Sequence, residues 1–230
     1  MGLAHQGEND MTHLVLLGDS IFDNGAYVQP GEPDVINQLR AILPESYQAT
    51  LLAVDGHYTT NVIHKAKEIP EDATHLVVSV GGNDALSYLD VLSESARTVA
   101  EVLNRFFTIR KEFEANYLKM LESVLSHGLP TALCAIYYPC YPEEDFQELA
   151  VTALSTFNDV IIKAAVTHGL PLLDLRLICN EASDYANPIE PSAAGGEKIV
   201  KVIKTVIEEH DFSQGRTAVY FLPPPQHQTK

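Results

Sequence analysis

Short apolar runs alternate with longer amphipathic stretches along most of the chain. Each apolar run has the length of a buried strand, and a turn containing glycine, proline or a polar residue follows it. The intervening stretches carry apolar residues at helical spacing, so they predict helices between the strands. The predicted strands cover residues 14–17, 49–54, 75–80, 131–138 and 170–175, and the predicted helices cover residues 35–43, 59–69, 86–127 (as two helices), 144–167 and 192–209.

This alternation favours a parallel sheet, because parallel strands need crossover helices and bury both of their faces. The pattern therefore predicts an α/β fold, a three-layer α/β/α sandwich around a five-stranded parallel sheet. A chain of 230 residues with 46% hydrophobic content can bury a large core without disulfides. We expect one domain over residues 12–212, a disordered leader over residues 1–11, and a largely disordered tail over residues 213–230, which contains three consecutive prolines.

The charge balance is strongly acidic, with 31 Asp and Glu against 15 Lys and Arg and a formal net charge of −16. This charge argues against nucleic acid as a partner. Three cysteines without Cys-x-x-Cys spacing predict neither a disulfide framework nor a zinc site, and the scattered histidines predict no metal or other cofactor. The sequence has no signal-peptide pattern and no apolar window of membrane-spanning length, so we expect a cytoplasmic protein without a membrane span.

Polar residues and glycines follow the predicted strands at their carboxyl ends. Ser20 comes after the first strand, Gly56 after the second and Asn83 after the third, and residues 180–191 follow the fifth. The carboxyl ends of parallel strands meet at one edge of an open sheet, where ligand sites gather. Each motif by itself is most often an ordinary turn. Their convergence on one edge predicts a site with Ser20 as a candidate nucleophile.

Four short motifs occur in order along this edge: Gly18-Asp19-Ser20-Ile21, Gly56, Gly81-Gly82-Asn83-Asp84, and a Pro-Ser-x-x-Gly helix start at residues 191–195. Together they resemble the GDSL, or SGNH, hydrolase superfamily over residues 12–209. The resemblance implies a flavodoxin-like sheet with strand order 2-1-3-4-5. It also implies an esterase, lipase or acyl-hydrolase that acts on a small-molecule ester.

The resemblance gives roles to individual residues. Ser20 corresponds to the nucleophile, and its backbone N–H, the backbone N–H of Gly56 and the side-chain amide of Asn83 correspond to an oxyanion hole. Fixed donors of this kind stabilise the negative charge that develops on the carbonyl oxygen during attack, by about 3 kcal/mol each. We interpret Asp19 and Asp84 as structural hydrogen-bonding residues.

The last motif departs from the superfamily, whose members carry Asp-x-x-His-Pro before the final helix. Glu190 stands where the histidine belongs and Asn187 stands where the aspartate belongs. One hypothesis makes Glu190 the general base, with Asn187 hydrogen-bonding to it as an orienting group. A second takes a histidine from elsewhere as the base, with His57 the best placed. Asp184 is a candidate for a carboxylate displaced from the usual position of the aspartate. A third makes the chain an inactive binding protein for an acyl or glycan ligand.

Overall fold

The structure is a computed structural model and describes residues 11–222 of the chain. The strands are β1 (Thr12–Gly18), β2 (Tyr47–Leu51), β3 (His75–Ser79), β4 (Thr131–Ala135), β5 (Leu172–Asp174), β6 (Tyr185–Asn187), β7 (Glu190–Pro191) and β8 (Val219–Tyr220). Six of them form one parallel sheet in the order β2-β1-β3-β4-β5-β8, and β6 and β7 form a separate antiparallel pair. The predicted order 2-1-3-4-5 is confirmed, and β8 extends the sheet to six strands.

Helices cover both faces of this sheet, so the predicted three-layer α/β sandwich is confirmed. They are α1 (Val35–Ile42), α2 (Thr59–Lys65), α3 (Gly82–Leu86), α4 (Val99–Leu125), α5 (Glu144–His168), α6 (Leu175–Ile178) and α7 (Ala193–Glu209). Short 3₁₀ segments occur at Ala66–Glu68, Leu89–Ser93, Ala182–Asp184 and Phe212–Gln214.

The alternation of side chains along β1 divides the core into two layers. Leu14 and Leu16 pack on the face covered by α1 and α7, whereas Val15 and Leu17 pack on the face covered by α2, α4 and α5. All four side chains are completely buried, as the period of two in a central strand requires. A continuous apolar run is therefore the expected sequence of a strand at this position.

The expected disorder of residues 213–222 is wrong. Val219 and Tyr220 form β8, which pairs in parallel with Leu172 and Leu173 of β5 at the edge of the sheet. A strand of two residues is too short to give a periodic signal, so the pattern of hydrophobicity could not reveal it. The predictions for residues 1–10 and 223–230 concern positions outside the described part of the chain.

The fourth strand ends earlier than the sequence predicts, at Ala135 rather than Tyr138. The cause is Asn158 of α5, which is completely buried. Its Oδ1 accepts from the Ile136 N–H and its Nδ2 donates to the Ile136 carbonyl, both at 2.8 Å. The Asn158 amide thus takes the place of a neighbouring strand as the hydrogen-bond partner of Ile136, and the chain continues from there as a loop.

Helix α5 is long and apolar enough to span a membrane by length and composition, contrary to the expectation from the sequence. It is the one such helix among residues 11–222. Its buried apolar side chains, including Leu154, Phe157 and Ile161, pack in the core with α4 and β4, and a core helix of an α/β sandwich meets the same criteria.

Candidate active site

Ser20 lies immediately beyond the end of β1, in a turn that begins at Gly18. Gly18 has a φ of 140°, and a Cβ at this position would come 1.7 Å from the Ser79 carbonyl oxygen at the end of β3. The Asp19 N–H donates to the same oxygen at 3.1 Å. Because only glycine permits this approach, the chain turns between β1 and β3 and leaves Ser20 at the carboxyl edge of the sheet, with 6% of its surface exposed.

Asn83 lies in the first turn of α3, which begins directly after β3 and Gly81. Its Nδ2 donates to the carbonyl of His57 at 3.0 Å, which fixes the orientation of the amide and leaves its second hydrogen for another acceptor. The neighbouring Asp84 accepts from the backbone N–H and the hydroxyl of Thr59 at 3.0 and 2.8 Å. These contacts attach α3 to the start of α2.

Gly56 lies in the turn after β2, where its φ of 78° favours glycine. It precedes His57, whose carbonyl holds Asn83. Asp55, which precedes Gly56, donates its N–H to the Asp23 carboxylate at 2.9 Å, so the turn is joined to the segment that follows Ser20. Apart from its two chain neighbours, no atom of residues 11–222 lies within 4 Å of the position that a Gly56 Cβ would occupy.

A large cavity opens beside Ser20, and Ser20, Asn83 and Glu190 all line it. The empty space measures about 920 Å³, including the part that is open to solvent. Away from these polar groups the walls come from α3, the 3₁₀ segment at 89–93, α4 and α5, and they are mainly apolar. The turn at Gly56 borders the site without forming part of this wall.

Glu190 lies on β7 with only 6% of its surface exposed. Burial raises the pKa of its carboxyl to about 7; the neighbouring Ser20 hydroxyl opposes this rise, and the charge of Asp55 adds to it. One carboxylate oxygen, Oε2, is buried without a hydrogen-bond partner among the described residues. A carboxyl group in this state exchanges protons near neutral pH, as a general base must.

The short hairpin of β6 and β7 places Glu190, and other parts of the fold hold that hairpin. Asn24, which is completely buried, donates from Nδ2 to the Pro191 carbonyl at 3.1 Å and accepts from the Val35 N–H at 2.9 Å. The Tyr137 hydroxyl donates to the Ile189 carbonyl. The backbone on both sides of Glu190 is thereby fixed to the segment after Ser20 and to the loop after β4.

The sequence model of the GDSL-like lipase/acylhydrolase family matches residues 16–198, which include every polar group described above. The chain belongs to this family. The predicted resemblance is thereby confirmed, and membership indicates a hydrolase that acts on ester bonds. No protein of curated function matches the sequence.

Solved structures of lipases and esterases share the fold. The extracellular lipase of Streptomyces rimosus is 17% identical with a TM-score of 0.64, and the alignment covers 84% of this chain and 99% of the lipase. Phospholipase A1 of Streptomyces albidoflavus is 18% identical with a TM-score of 0.61, covering 85% and 99%. The acetyl xylan esterase AlAXEase is 16% identical with a TM-score of 0.63, also covering 85% and 99%. At these identities the likeness concerns the fold.

Asn187 is exposed and contacts the backbone of the hairpin rather than the Glu190 carboxylate. Its Oδ1 accepts from the N–H groups of Ile189 and Glu190, at 2.9 and 3.0 Å. This is an Asx-type turn. Any orienting effect of Asn187 on Glu190 therefore acts through the backbone, and the expected side-chain contact between the two is not among the hydrogen bonds of the described residues.

Neither His57, the alternative base, nor Asp184, the displaced carboxylate, is among the residues that line the cavity. No histidine among residues 11–222 lines the cavity, and burial and the charge of Lys65 lower the pKa of the His57 imidazole. Asp184 is completely buried, and its Oδ2 accepts from Lys198 Nζ at 2.8 Å and from the N–H of Asn180 and Glu181. These bonds hold Asp184 within the segment before α7 and away from Ser20.

Sequence reasoning missed two features of this GDSL-like site. Asp19, interpreted as structural, lines the cavity as a second buried carboxyl; burial raises its pKa to about 8, the Ile21 N–H opposes this, and Glu190 and Asp84 add to it. Asn24 was not recognised as the residue that fixes β7. A polar residue so soon after a candidate nucleophile is the one signal in the sequence, and turns commonly contain asparagine.

Proposed function

We propose that this protein is a serine hydrolase of carboxylic esters in which Ser20 is the nucleophile and Glu190 is the general base. The observation that carries the proposal is the position of Ser20, Asn83 and Glu190 in one cavity, with a pKa of about 7 for the buried Glu190 carboxyl. A base with this pKa is far stronger than an ordinary glutamate and is half ionised at neutral pH.

The first step is attack of the Ser20 hydroxyl on the carbonyl carbon of the ester. Glu190 removes the hydroxyl proton as the new C–O bond forms, and the carbonyl electrons move to the oxygen to give a tetrahedral intermediate. The Ser20 and Gly56 N–H groups and the free hydrogen of the Asn83 amide donate to this oxyanion. Each such donor contributes about 3 kcal/mol to the stability of the transition state.

Collapse of the intermediate breaks the bond to the alcohol, and Glu190 returns its proton to the departing oxygen. The acyl group stays on Ser20 until a water molecule, deprotonated by Glu190, attacks the acyl carbon through the same oxyanion hole. Collapse of this second tetrahedral intermediate breaks the bond between the acyl carbon and the Ser20 oxygen, Glu190 gives its proton to that oxygen to restore the hydroxyl, and the carboxylic acid leaves. Asn187 supports this cycle as a positioning residue, because its bond to the Glu190 N–H orients the backbone of the base.

The second candidate function is that of a binding protein for an acyl ligand. One observation favours it: Asn187 does not contact the Glu190 carboxylate, so the base has no orienting partner of the kind that a triad aspartate supplies. The mainly apolar walls favour an acyl ligand over a glycan.

The test is ester hydrolysis by the wild-type protein and by Ser20→Ala over a panel of p-nitrophenyl esters. Removing a catalytic serine lowers kcat on the order of 10⁴-fold or more. The matched control is Ser79→Ala, since Ser79 is also buried and also lines the cavity; we expect it to stay within a few-fold of wild type. Turnover that survives in Ser20→Ala excludes the mechanism. A ligand that binds without any turnover favours the second candidate.

A further inference from the structure

Four apolar residues at the start of α4 face solvent and form what we call the α4 stripe: Val99, Val102, Leu103 and Phe107. Their exposed fractions are 75, 37, 64 and 62%. Single exposed apolar side chains are common, but a contiguous group on one side of a helix indicates an interaction surface. The proposed hydrolysis does not use this group.

The stripe continues the cavity. Val99 and Val102 precede Phe106 by seven and four positions, so they share its face of α4, and Leu103 and Phe107 flank that face. Phe106 lines the cavity, and so do residues of the 3₁₀ segment Leu89–Ser93. No residue of this segment is fully buried, so the segment reaches the surface of the protein. An apolar path therefore leads from the exposed stripe to the cavity that contains Ser20.

The charge of the chain as a whole favours an uncharged partner surface. Arg105, between Leu103 and Phe107 in the sequence, pairs with Glu94 at 2.9 Å and with Glu101, so its charge is balanced within the protein. The whole chain carries a formal charge of −16, which repels anionic surfaces. Neutral and zwitterionic lipid surfaces present no such barrier.

We propose that the α4 stripe docks the protein on the surface of neutral or zwitterionic lipid, so that a lipid chain enters the cavity directly from that surface. Lipid suits the stripe better than a second copy of the chain, because the stripe leads into an apolar cavity that a docked protein surface would close. The inference rests on the proposed function only for the fate of the chain that enters; docking itself requires no turnover.

The chain contains no tryptophan, so one introduced tryptophan reports its own surroundings. Phe107→Trp keeps the stripe apolar, and in a Ser20→Ala background the lipid is not consumed. We expect its fluorescence to shift to the blue when phosphatidylcholine vesicles are added. The control is Val166→Trp on α5, where the native side chain is 61% exposed and does not line the cavity; its emission should not change.

A flotation experiment measures the docking directly. The pair Leu103→Gln and Phe107→Gln should reduce the fraction of protein that floats with phosphatidylcholine vesicles about tenfold or more, because binding to an interface scales with the apolar area that is buried. The control pair, Val166→Gln and Leu177→Gln, removes two exposed apolar side chains elsewhere and should float like wild type. Circular dichroism verifies that each variant is folded. If a double variant unfolds, its two single variants are measured in its place.

The outcomes separate this inference from the proposed function. Flotation that depends on the stripe supports docking even if no ester is hydrolysed. Ester hydrolysis without flotation overturns docking and leaves the proposed function intact. Stronger binding to vesicles that contain phosphatidylglycerol overturns the choice of neutral lipid. If the protein does not bind vesicles but forms a concentration-dependent dimer, and Leu103→Gln with Phe107→Gln abolishes that dimer, the stripe binds a second copy of the chain instead.

Discussion

Ser20 and Asn83 are held by the sheet, whereas Glu190 is held by a hairpin. The strands that precede Ser20 and Asn83 pair directly, with Gly18 opposite Ser79. Glu190 lies on a strand of two residues, and its position depends on contacts from Asn24, Tyr137 and Asn187. The proposed nucleophile and oxyanion donor are therefore positioned by paired strands of the core, whereas the proposed base is positioned by side-chain contacts to a short hairpin outside the main sheet.

The sharpest test of this contrast is Glu190→Gln, which keeps the shape of the side chain and removes its ability to accept a proton. We expect kcat for ester hydrolysis to fall about 10²-fold to 10⁴-fold, the usual contribution of a general base, with an unchanged fold. The pH profile of kcat/KM for the wild type should rise through an apparent pKa of about 7, as the Glu190 carboxyl ionises.

Asp55→Asn is the matched control, because Asp55 raises the pKa of Glu190 but does not line the cavity. It should keep kcat within a few-fold and move the acidic limb of the profile to lower pH.

Glu190→His with Asn187→Asp rebuilds the pattern of the superfamily and should keep or raise activity. Wild-type turnover in Glu190→Gln together with its loss in His57→Ala contradicts the assignment and transfers the role to His57.

A pair of asparagines measures what holds the hairpin. Asn24→Ala leaves the Pro191 carbonyl and the Val35 N–H without their partners inside the protein, so unfolding free energy should fall by about 2–4 kcal/mol. Asn187→Ala removes an exposed turn contact and should cost about 1 kcal/mol or less. Urea unfolding measures both. Equal losses would show that Asn24 is no more important to the hairpin than Asn187.

Each side of the site also carries one buried carboxyl, and their effects on stability can be compared. Burial raises the pKa of Asp19 to about 8 and that of Glu190 to about 7, above unfolded values of about 4. The folded state therefore binds more protons over this interval, and the contribution of each group to stability is complete below pH 4 and is lost as pH rises to 7 or 8.

We expect the free energy of unfolding to fall by roughly 4 kcal/mol or more between pH 5 and pH 8, because Asp19 alone accounts for nearly three pH units at about 1.4 kcal/mol each. Asp19→Asn should flatten the dependence more than Glu190→Gln, because the pKa of Asp19 is raised further. Urea denaturation at a series of pH values provides the measurement. A slope that neither substitution changes would assign the pH dependence to other groups.

Most of the fold could be predicted because β1, β3 and β4 are continuous apolar runs that end at turns. The end of β4 could not be predicted, since it depends on Asn158 of α5, and β8 could not, since two residues have no period. In the site, strand ends indicated Ser20 and Asn83. The role of Asn24 depends on a contact with Pro191, 167 residues away in the sequence, which no local pattern contains.

Gly18 gives the Gly-Asp-Ser signature a meaning that is independent of chemistry. Any side chain at this position would displace the backbone of Ser79, so the glycine is required for β1 and β3 to pair at their carboxyl ends. That requirement is the same whether the following serine reacts or only binds. A search for this signature therefore selects chains that share a strand-pairing geometry, including chains in which the base has been exchanged or lost, and only the segment before the last helix separates them.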